Sequence, residues 1–325
     1  MVEFRCYQPA DLPGLVEAWN DCFAGGPNFT RVTESDLQRR VMGQPSFDPA
    51  AMLVACKGAR LLGFVHWGPR SNLRSHLPER RVNRAEGHTY VVVAPKGDRG
   101  LIADLLAAAE SHLRSDRARR ILLGLSWVYG GQPYYNGIAG AYEIPGLSPA
   151  RDDLIAVASE SGFAPIAEYG TPELAAERLA DLRELAAGLR LRAREWGLRK
   201  ETRLVESAFF PPRVSVELLS GREVVAMTAF GLWEEYAREY GRRLYGLTSV
   251  QVAVQWRGMG LGKLVVIEAM ETAREQGAEA FHLHVWRANA PAWNLYHQAL
   301  GFQPTHRWIT LEKVLTSPPS NRLSG

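Results

Sequence analysis

The chain has 325 residues, 46% hydrophobic and 22% charged, with 38 basic and 35 acidic side chains for a formal net charge of +3. This length favours two domains, each with its own core, and the composition excludes a disordered chain. The near balance of charge excludes nucleic acid or an anionic membrane as the main partner, so any basic site must be local.

Three cysteines, Cys6, Cys22 and Cys56, all lie in the first fifth of the chain. An odd number without disulfide-framework or zinc-ligand spacing predicts free thiols in a reducing compartment. The N-terminus lacks the charged-then-apolar layout of a signal peptide. The longest uncharged stretch, Ile121 to Tyr142, mixes glycines, a proline, a glutamine and an asparagine, which a lipid-spanning helix rarely combines. The expectation is a cytoplasmic protein with neither a membrane nor a nucleic-acid partner.

Taken in chain order, the pattern repeats itself. Leu53 to Cys56, a Lys57-Gly58 turn and Arg60 to Trp67 predict a hairpin. Val91 to Pro95 then leads into a helical pattern from Leu101 to Leu113, an apolar strand from Ile121 to Leu125, and a short helix ending at Gly162-Phe163. The same order returns with Val214 to Leu219, Ser220-Gly221, Glu223 to Phe230, Val252 to Val254, a helix from Leu261 to Arg274, a strand from Ala280 to Val285, and Gly301-Phe302. The first copy carries an extra aromatic, glycine-rich segment, Trp127 to Gly137, that either walls an acceptor pocket or packs between domains. Thr171-Pro172 is expected to open a helical run whose Leu174, Leu179, Leu182, Leu185, Ala186 and Leu189 share one face. Strands mixed with helices in each half predict two α+β or α/β units with mixed sheets. The expected domains are residues 1–170 and 171–315, followed by a disordered serine- and proline-rich tail at 316–325.

The strongest chemical signal is Val252-Ala253-Val254-Gln255-Trp256-Arg257-Gly258-Met259-Gly260-Leu261-Gly262-Lys263, a strand that runs through a glycine-rich loop into a helix. Glycines at 258, 260 and 262 let backbone N–H groups approach a ligand closely, and the helix N-terminus favours phosphate. Arg257 and Lys263 add full charges. Downstream, Asn289 is placed as an N-cap, Pro291 in the first turn and Gly301 as terminator. Ala292, Leu295, Tyr296 and Ala299 share one face.

These two segments resemble the GNAT superfamily of acyl-CoA-dependent acyltransferases. Its pyrophosphate signature, Gln/Arg-x-x-Gly-x-Gly/Ala, is matched by Arg257-Gly258-Met259-Gly260-Leu261-Gly262. Its second signature is matched by Asn289, Ala292, Leu295, Tyr296, Gly301 and Phe302. The resemblance covers Arg213 to Leu315 and implies two tandem GNAT-like domains, each a mixed, mostly antiparallel sheet flanked by helices. It implies acetyl-CoA as acyl-donor cosubstrate, held by the main chain of Val252, Ala253 and Val254, by Arg257 to Lys263 and by Asn289, with Tyr296 as general acid. The acceptor it implies is an amine on a small molecule or peptide, acetylated by direct attack in a ternary complex. In the first half the glycines are missing. Aligning Val93-Ala94-Pro95 with Val252-Ala253-Val254 puts Asp98 at Arg257 and Leu101 at Gly260, while Val157 falls at Tyr296. The first domain is therefore expected to be a degenerate copy, an arrangement similar in architecture to mycothiol synthase.

For a general base the sequence offers Glu234 and Glu235, with Glu206 upstream. His282, His284 and Trp286 alternate on a strand and share one face, which either lines the acceptor site or packs under a helix. Two histidines two apart on a strand lack the further ligands of a metal site, and no metal is expected. Two other readings stay open: a non-catalytic acyl-CoA-binding regulatory module, and an aminoacyl or peptidyl transferase that takes its acyl group from a charged RNA and needs a basic groove, which the intact glycines and the charge balance disfavour.

Overall fold

A computed structural model describes residues 2–71, 82–124, 134–143, 146–206 and 212–315. The tail expected from residue 316 and residues 127–133 of the aromatic stretch lie outside the described residues.

In chain order the elements are β1 (Glu3–Cys6), α1 (Leu12–Phe23), α2 (Glu34–Leu37), β2 (Met52–Lys57), β3 (Arg60–Ser71), β4 (Val82–Val93), α3 (Arg99–Ser115), β5 (Arg120–Leu123), α4 (Asp152–Glu160) and β6 (Ala164–Ala175). They continue with α5 (Arg183–Glu195), β7 (Leu198–Val205), β8 (Arg213–Ser220), β9 (Glu223–Leu232), α6 (Glu234–Tyr240), β10 (Leu244–Val252), α7 (Leu261–Glu275), β11 (Ala280–His282), β12 (Val285–Trp286), α8 (Ala290–Asn294) and β13 (Gln303–Val314). No helix among the described residues is long and apolar enough to cross a membrane.

The chain forms two units. The first comprises Met1–Tyr135, Ile144–Glu168 and Trp308–Gly325, the second Asn136–Glu143 and Tyr169–Arg307. In the first, the strand order is β1-β2-β3-β4-β5-β13, antiparallel except for the parallel β4–β5 pair. In the second it is β6-β11-β10-β9-β8-β7, antiparallel except for β10–β11. Each is thus a mixed, mostly antiparallel sheet with helices packed on it. Helix α3 buries Leu101, Ile102, Leu105, Leu106, Ala109 and Leu113 in one core. Helix α7 buries Leu261, Leu264, Val265, Ile267, Met270 and Ala273 in the other.

The repeat extends to irregularities. Hairpin β2–β3 turns at Gly58 and hairpin β8–β9 at Gly221, both with φ +61, a conformation that costs glycine nothing. Each hairpin shifts register just before its turn, between Ala55 and Cys56 and between Leu218 and Leu219, sites 163 positions apart in the chain. A bulge at the same place in both copies is a feature of the repeated unit.

The division differs from a single cut at residue 170 in two places. From Trp308 onward the C-terminal strand belongs to the first unit, because Leu311, Glu312, Lys313 and Val314 pair with Leu123, Leu122, Ile121 and Arg120 and so cover the edge of the four-residue β5. Asn136–Glu143, which precede the cut, belong to the second unit. There Trp233 donates its indole N–H to the Gly137 carbonyl at 2.6 Å, and the Tyr142 ring lies against the Cβ-less backbone of Gly231 and Gly246. The helix expected from Thr171 is a further correction. Residues up to Ala175 are the end of β6, a 3-10 segment covers Ala176–Leu182, and the α-helix begins at Arg183. Leu174 is buried as a strand residue opposite Phe281, which also satisfies a helical period by coincidence of spacing.

A Cβ at position 246 would run into the Tyr142 ring. Gly246→Ala should therefore lower stability by about 1–3 kcal/mol through overpacking, read as a fall in the urea midpoint. An unchanged midpoint would contradict this packing.

Candidate active site

The site grows out of one interruption in strand pairing. Strands β10 and β11 run parallel only over Leu244–Ala280, Tyr245–Phe281 and Gly246–His282. Beyond that point β10 stays with β9, down to Val252 opposite Ala226, while β12 pairs with β6 through Val285–Gly170 and Trp286–Tyr169. The two inner strands part. A register shift between Thr248 and Gln251, with Ser249 at φ +56, bends β10 where this happens; a bulge of this kind turns a strand away from its neighbour.

Peptide groups alternate along a strand, which decides what the parted edge offers. Ala253 donates its N–H to Val225 at 2.8 Å, so that amide faces β9. Val252 faces the other way, and its carbonyl accepts from Arg257 Nε at 3.2 Å. Of the three residues expected to hold the donor through their main chain, Val252 turns its peptide to the parted side and Ala253 does not.

The glycine loop follows directly. Gly258 (φ +80) and Gly260 (φ +85) hold the left-handed conformation that a side chain would strain. A Cβ on Gly260 would stand 2.6 Å from Leu189 Cδ2 on α5. Gly262 takes an ordinary φ and brings α7 within van der Waals contact of Val252 and Leu295. The first backbone bond of α7 is donated by Leu264 to Gly260 at 3.1 Å. The amides of Leu261, Gly262 and Lys263 thus form the open, partially positive end of a 15-residue helix. Arg257 is exposed and Lys263 half-buried.

Leu295, which touches Gly262, begins the turn that carries Tyr296. Asn289 caps α8 by accepting from Ala292 N–H at 3.3 Å, with Pro291 in the first turn. The helix then widens into a π-turn over Leu295–Ala299, closed by Leu300 N–H to the Leu295 carbonyl at 3.1 Å. Such widenings are frequent at functional sites. Tyr296 is buried, with its ring edge-on to Phe302 at 5.9 Å. Burial, and then the charge of Glu143, push its phenol well above the ordinary range, so it keeps its proton at neutral pH.

On the sheet face away from α7, His282 stacks on Trp233 at 5.1 Å and meets Tyr142 edge-on at 6.4 Å. It is 1% exposed, and neither ring nitrogen has a hydrogen-bond partner among the described residues. Burial, then the charge of His306, lower its pKa to about 3. His284 shares that face and is 2.7 Å from Thr171 Oγ1 through Nδ1. Glu234 is exposed in the first turn of α6, whereas its neighbour Glu235 is fully buried against Gly137. Glu206 is exposed. The residue that sequence reading passed over is Glu143, half-buried in the same unit, with Tyr296 and Arg213 as the groups that feel its charge. Among the described residues no cluster of His, Cys, Asp or Glu is arranged to hold a metal.

The matching end of the first unit is filled by its own acids. Asp98 caps α3, accepting from Leu101 N–H at 3.1 Å, and Asp153 accepts from Gly97 N–H at 3.0 Å while paired with Arg151. The helix starts therefore set Asp98 opposite Gly260, both N-caps, rather than opposite Arg257 as the strand alignment had it. Val157 is buried in the core where the other copy has Tyr296.

Residues 181–302 match the acetyltransferase (GNAT) family. This segment is a GNAT-type acyltransferase domain. No curated protein matches the chain. Among solved structures, the chain is similar to a tandem GNAT protein from the clavulanic acid biosynthesis pathway, with a TM-score of 0.62 at 15% identity over 98% of this chain and all of that one. A GCN5-related N-acetyltransferase from Sphaerobacter thermophilus gives 0.58 at 13% over 98% and 97%. A glucosamine N-acetyltransferase region of a fungal multi-domain GH3 β-N-acetylglucosaminidase gives 0.66 at 14%; it covers 96% of this chain, which spans only 38% of that protein. At these identities the likeness is one of fold, and it extends along nearly the whole chain.

His282 generates a test with a definite sign. An unfolded histidine protonates below about pH 6.5, whereas the folded imidazole stays neutral down to about 3. Between those values the unfolded chain binds the extra proton, so stability falls as pH falls through this window. His282→Phe, which keeps a ring against Trp233, should lose less of its urea midpoint than the wild type between pH 7 and 4.5. Equal losses in the two proteins would contradict the neutral, buried state.

Proposed function

We propose that the second unit transfers an acetyl group from acetyl-CoA to the amine of a small-molecule or peptide acceptor, by direct attack in a ternary complex. The observation that carries this reading is the conjunction of the parted β10 edge, the glycine loop opening α7 and Tyr296 one residue beyond the Leu295 that packs on that loop. The diphosphate of the donor would lie on the amides at the start of α7, with Arg257 and Lys263 beside it. Asn289 serves this site by holding the start of α8. The parted edge at Val252 would face the pantetheine arm and the thioester. A main-chain N–H aimed at the developing oxyanion contributes several kcal/mol in sites of this kind.

Bond making and breaking then follow. An amine with the ordinary lysine pKa of about 10.4 is neutral in only about one molecule in a few thousand at pH 7, a cost of roughly 4–5 kcal/mol, so deprotonation is a large part of the barrier. The neutral nitrogen attacks the thioester carbon, the C–N bond forms, the now cationic nitrogen releases a proton to solvent, and the C–S bond breaks as the tetrahedral intermediate collapses. A thiol leaves with a pKa of about 8.5, and Tyr296, protonated through burial, supplies the proton to the sulfur.

Tyr296→Phe should lower kcat tenfold to a thousandfold and leave the acetyl-CoA Kd within about twofold, measured by thiol release over a panel of primary amines beginning with glucosamine. An unchanged kcat would remove Tyr296 from the acid role. Arg257→Glu should weaken acetyl-CoA binding by about tenfold or more, the scale of a charge-assisted contact to phosphate, without moving the melting temperature. It is a cleaner probe than a substitution at Gly260, where strain and the contact with Leu189 would also disturb folding.

A further inference from the structure

An acceptor ammonium must lose a proton before its nitrogen can attack, and a carboxylate open to the substrate is suited to take it. Glu234 and Glu206 are solvated on the surface, and Glu235 is sealed at 0% exposure. Glu143 has a different setting. It is half-buried, with no hydrogen bond or ion pair among the described residues, and the charges coupled to it are those of Arg213 and Tyr296. A carboxylate left without a partner in such surroundings is costly unless it has a use.

Its placement is fixed by the residues before it. Gly137 closes a turn by donating to Ala141 at 3.1 Å and accepts the Trp233 indole at 2.6 Å. Tyr142, the immediate neighbour of Glu143, is 1% exposed against Gly231 and Gly246. That contact lies on the last paired step before β10 and β11 part. Glu235 from α6 lies against Gly137 and His282 from β11 meets Tyr142 edge-on, while the charges coupled to Glu143 are those of Arg213 from β8 and Tyr296 from the turn after α8.

We propose that Glu143 is the general base of the second unit, carried into it by the Asn136–Glu143 segment and acting as a pair with Tyr296. The proposal rests on the acetyl-transfer reading above. The carboxylate takes one proton from the acceptor ammonium, the freed lone pair forms the C–N bond, the nitrogen of the tetrahedral intermediate releases its second proton to solvent, the C–S bond breaks, and Tyr296 gives one proton to the departing sulfur. Glu143 then releases its proton to solvent and Tyr296 recovers one from it, so that one proton is set free per turnover. Burial raises the Glu143 carboxyl to about 7 while Arg213 opposes the rise, which puts it where a base working at neutral pH is most effective. Nothing in the periodicity of the sequence marks Glu143, because it lies in the loop-rich segment of the first half.

The test uses the full chain with acetyl-CoA and the best amine of the panel. Glu143→Gln, which keeps the shape, should lower kcat/KM at pH 7 a hundredfold or more, abolish the acidic limb of the pH profile near pH 7, and leave the acetyl-CoA Kd within twofold. Glu143→Ala should regain part of its kcat with sodium formate, a response that a merely structural residue would not give. Activity with an intact acidic limb in Glu143→Gln, or no formate response, would overturn the base assignment alone. A wild-type protein inert toward every amine would overturn the transfer reading and the base with it.

Discussion

The pairing between β10 and β11 ends at Gly246–His282, and the site depends on that ending. A parallel pair carried further would consume the peptide groups of β10 and leave no edge for a ligand. Because β10 follows β9 and the chain after β11 follows β6, the sheet opens without losing either strand. The cost falls on one bulge around Ser249. The same pair explains the buried aromatic face, since Gly246 admits the Tyr142 ring and His282, its partner in register, lies edge-on to it.

The chain holds two such frames, and they differ at the start of the long helix. Both copies keep the parallel pair, the hairpin with its bulge, and a long helix. At the start of that helix one has glycines with open amides, the other Asp98 and Asp153 already bonded to backbone N–H groups. An acid at the N-cap sets negative charge where a phosphate would lie and so disfavours one there. The first unit instead gives the chain Asn136–Glu143 and receives β13 along β5, so each unit contains residues from both halves of the sequence.

What was legible in the sequence was local. Three glycines between a strand and a helix, an asparagine three residues before Ala292, and a glycine after Ala299 each answer a demand of backbone geometry, and each is where the periodic pattern put it. The tandem order was legible because hairpin turns and helix starts recur at nearly constant spacing. The remainder depends on partners distant in sequence. Leu174 fits a helical stripe and a strand equally well, and its pairing with Phe281 decides. The destination of β13 is an edge-pairing choice that no period records. Glu143 sits in an uncharged, glycine-rich neighbourhood with no motif around it, and its setting exists only once Trp233 holds the Gly137 carbonyl.

Calorimetric titration of acetyl-CoA into the full chain tests the central claim most directly, because stoichiometry separates an equipped unit from an acid-capped one. One molecule per chain, displaced by desulfo-CoA and unaffected by Asp98→Asn, is the result expected if the glycine loop of the second unit is the single donor site. Two molecules per chain, or none, would contradict it.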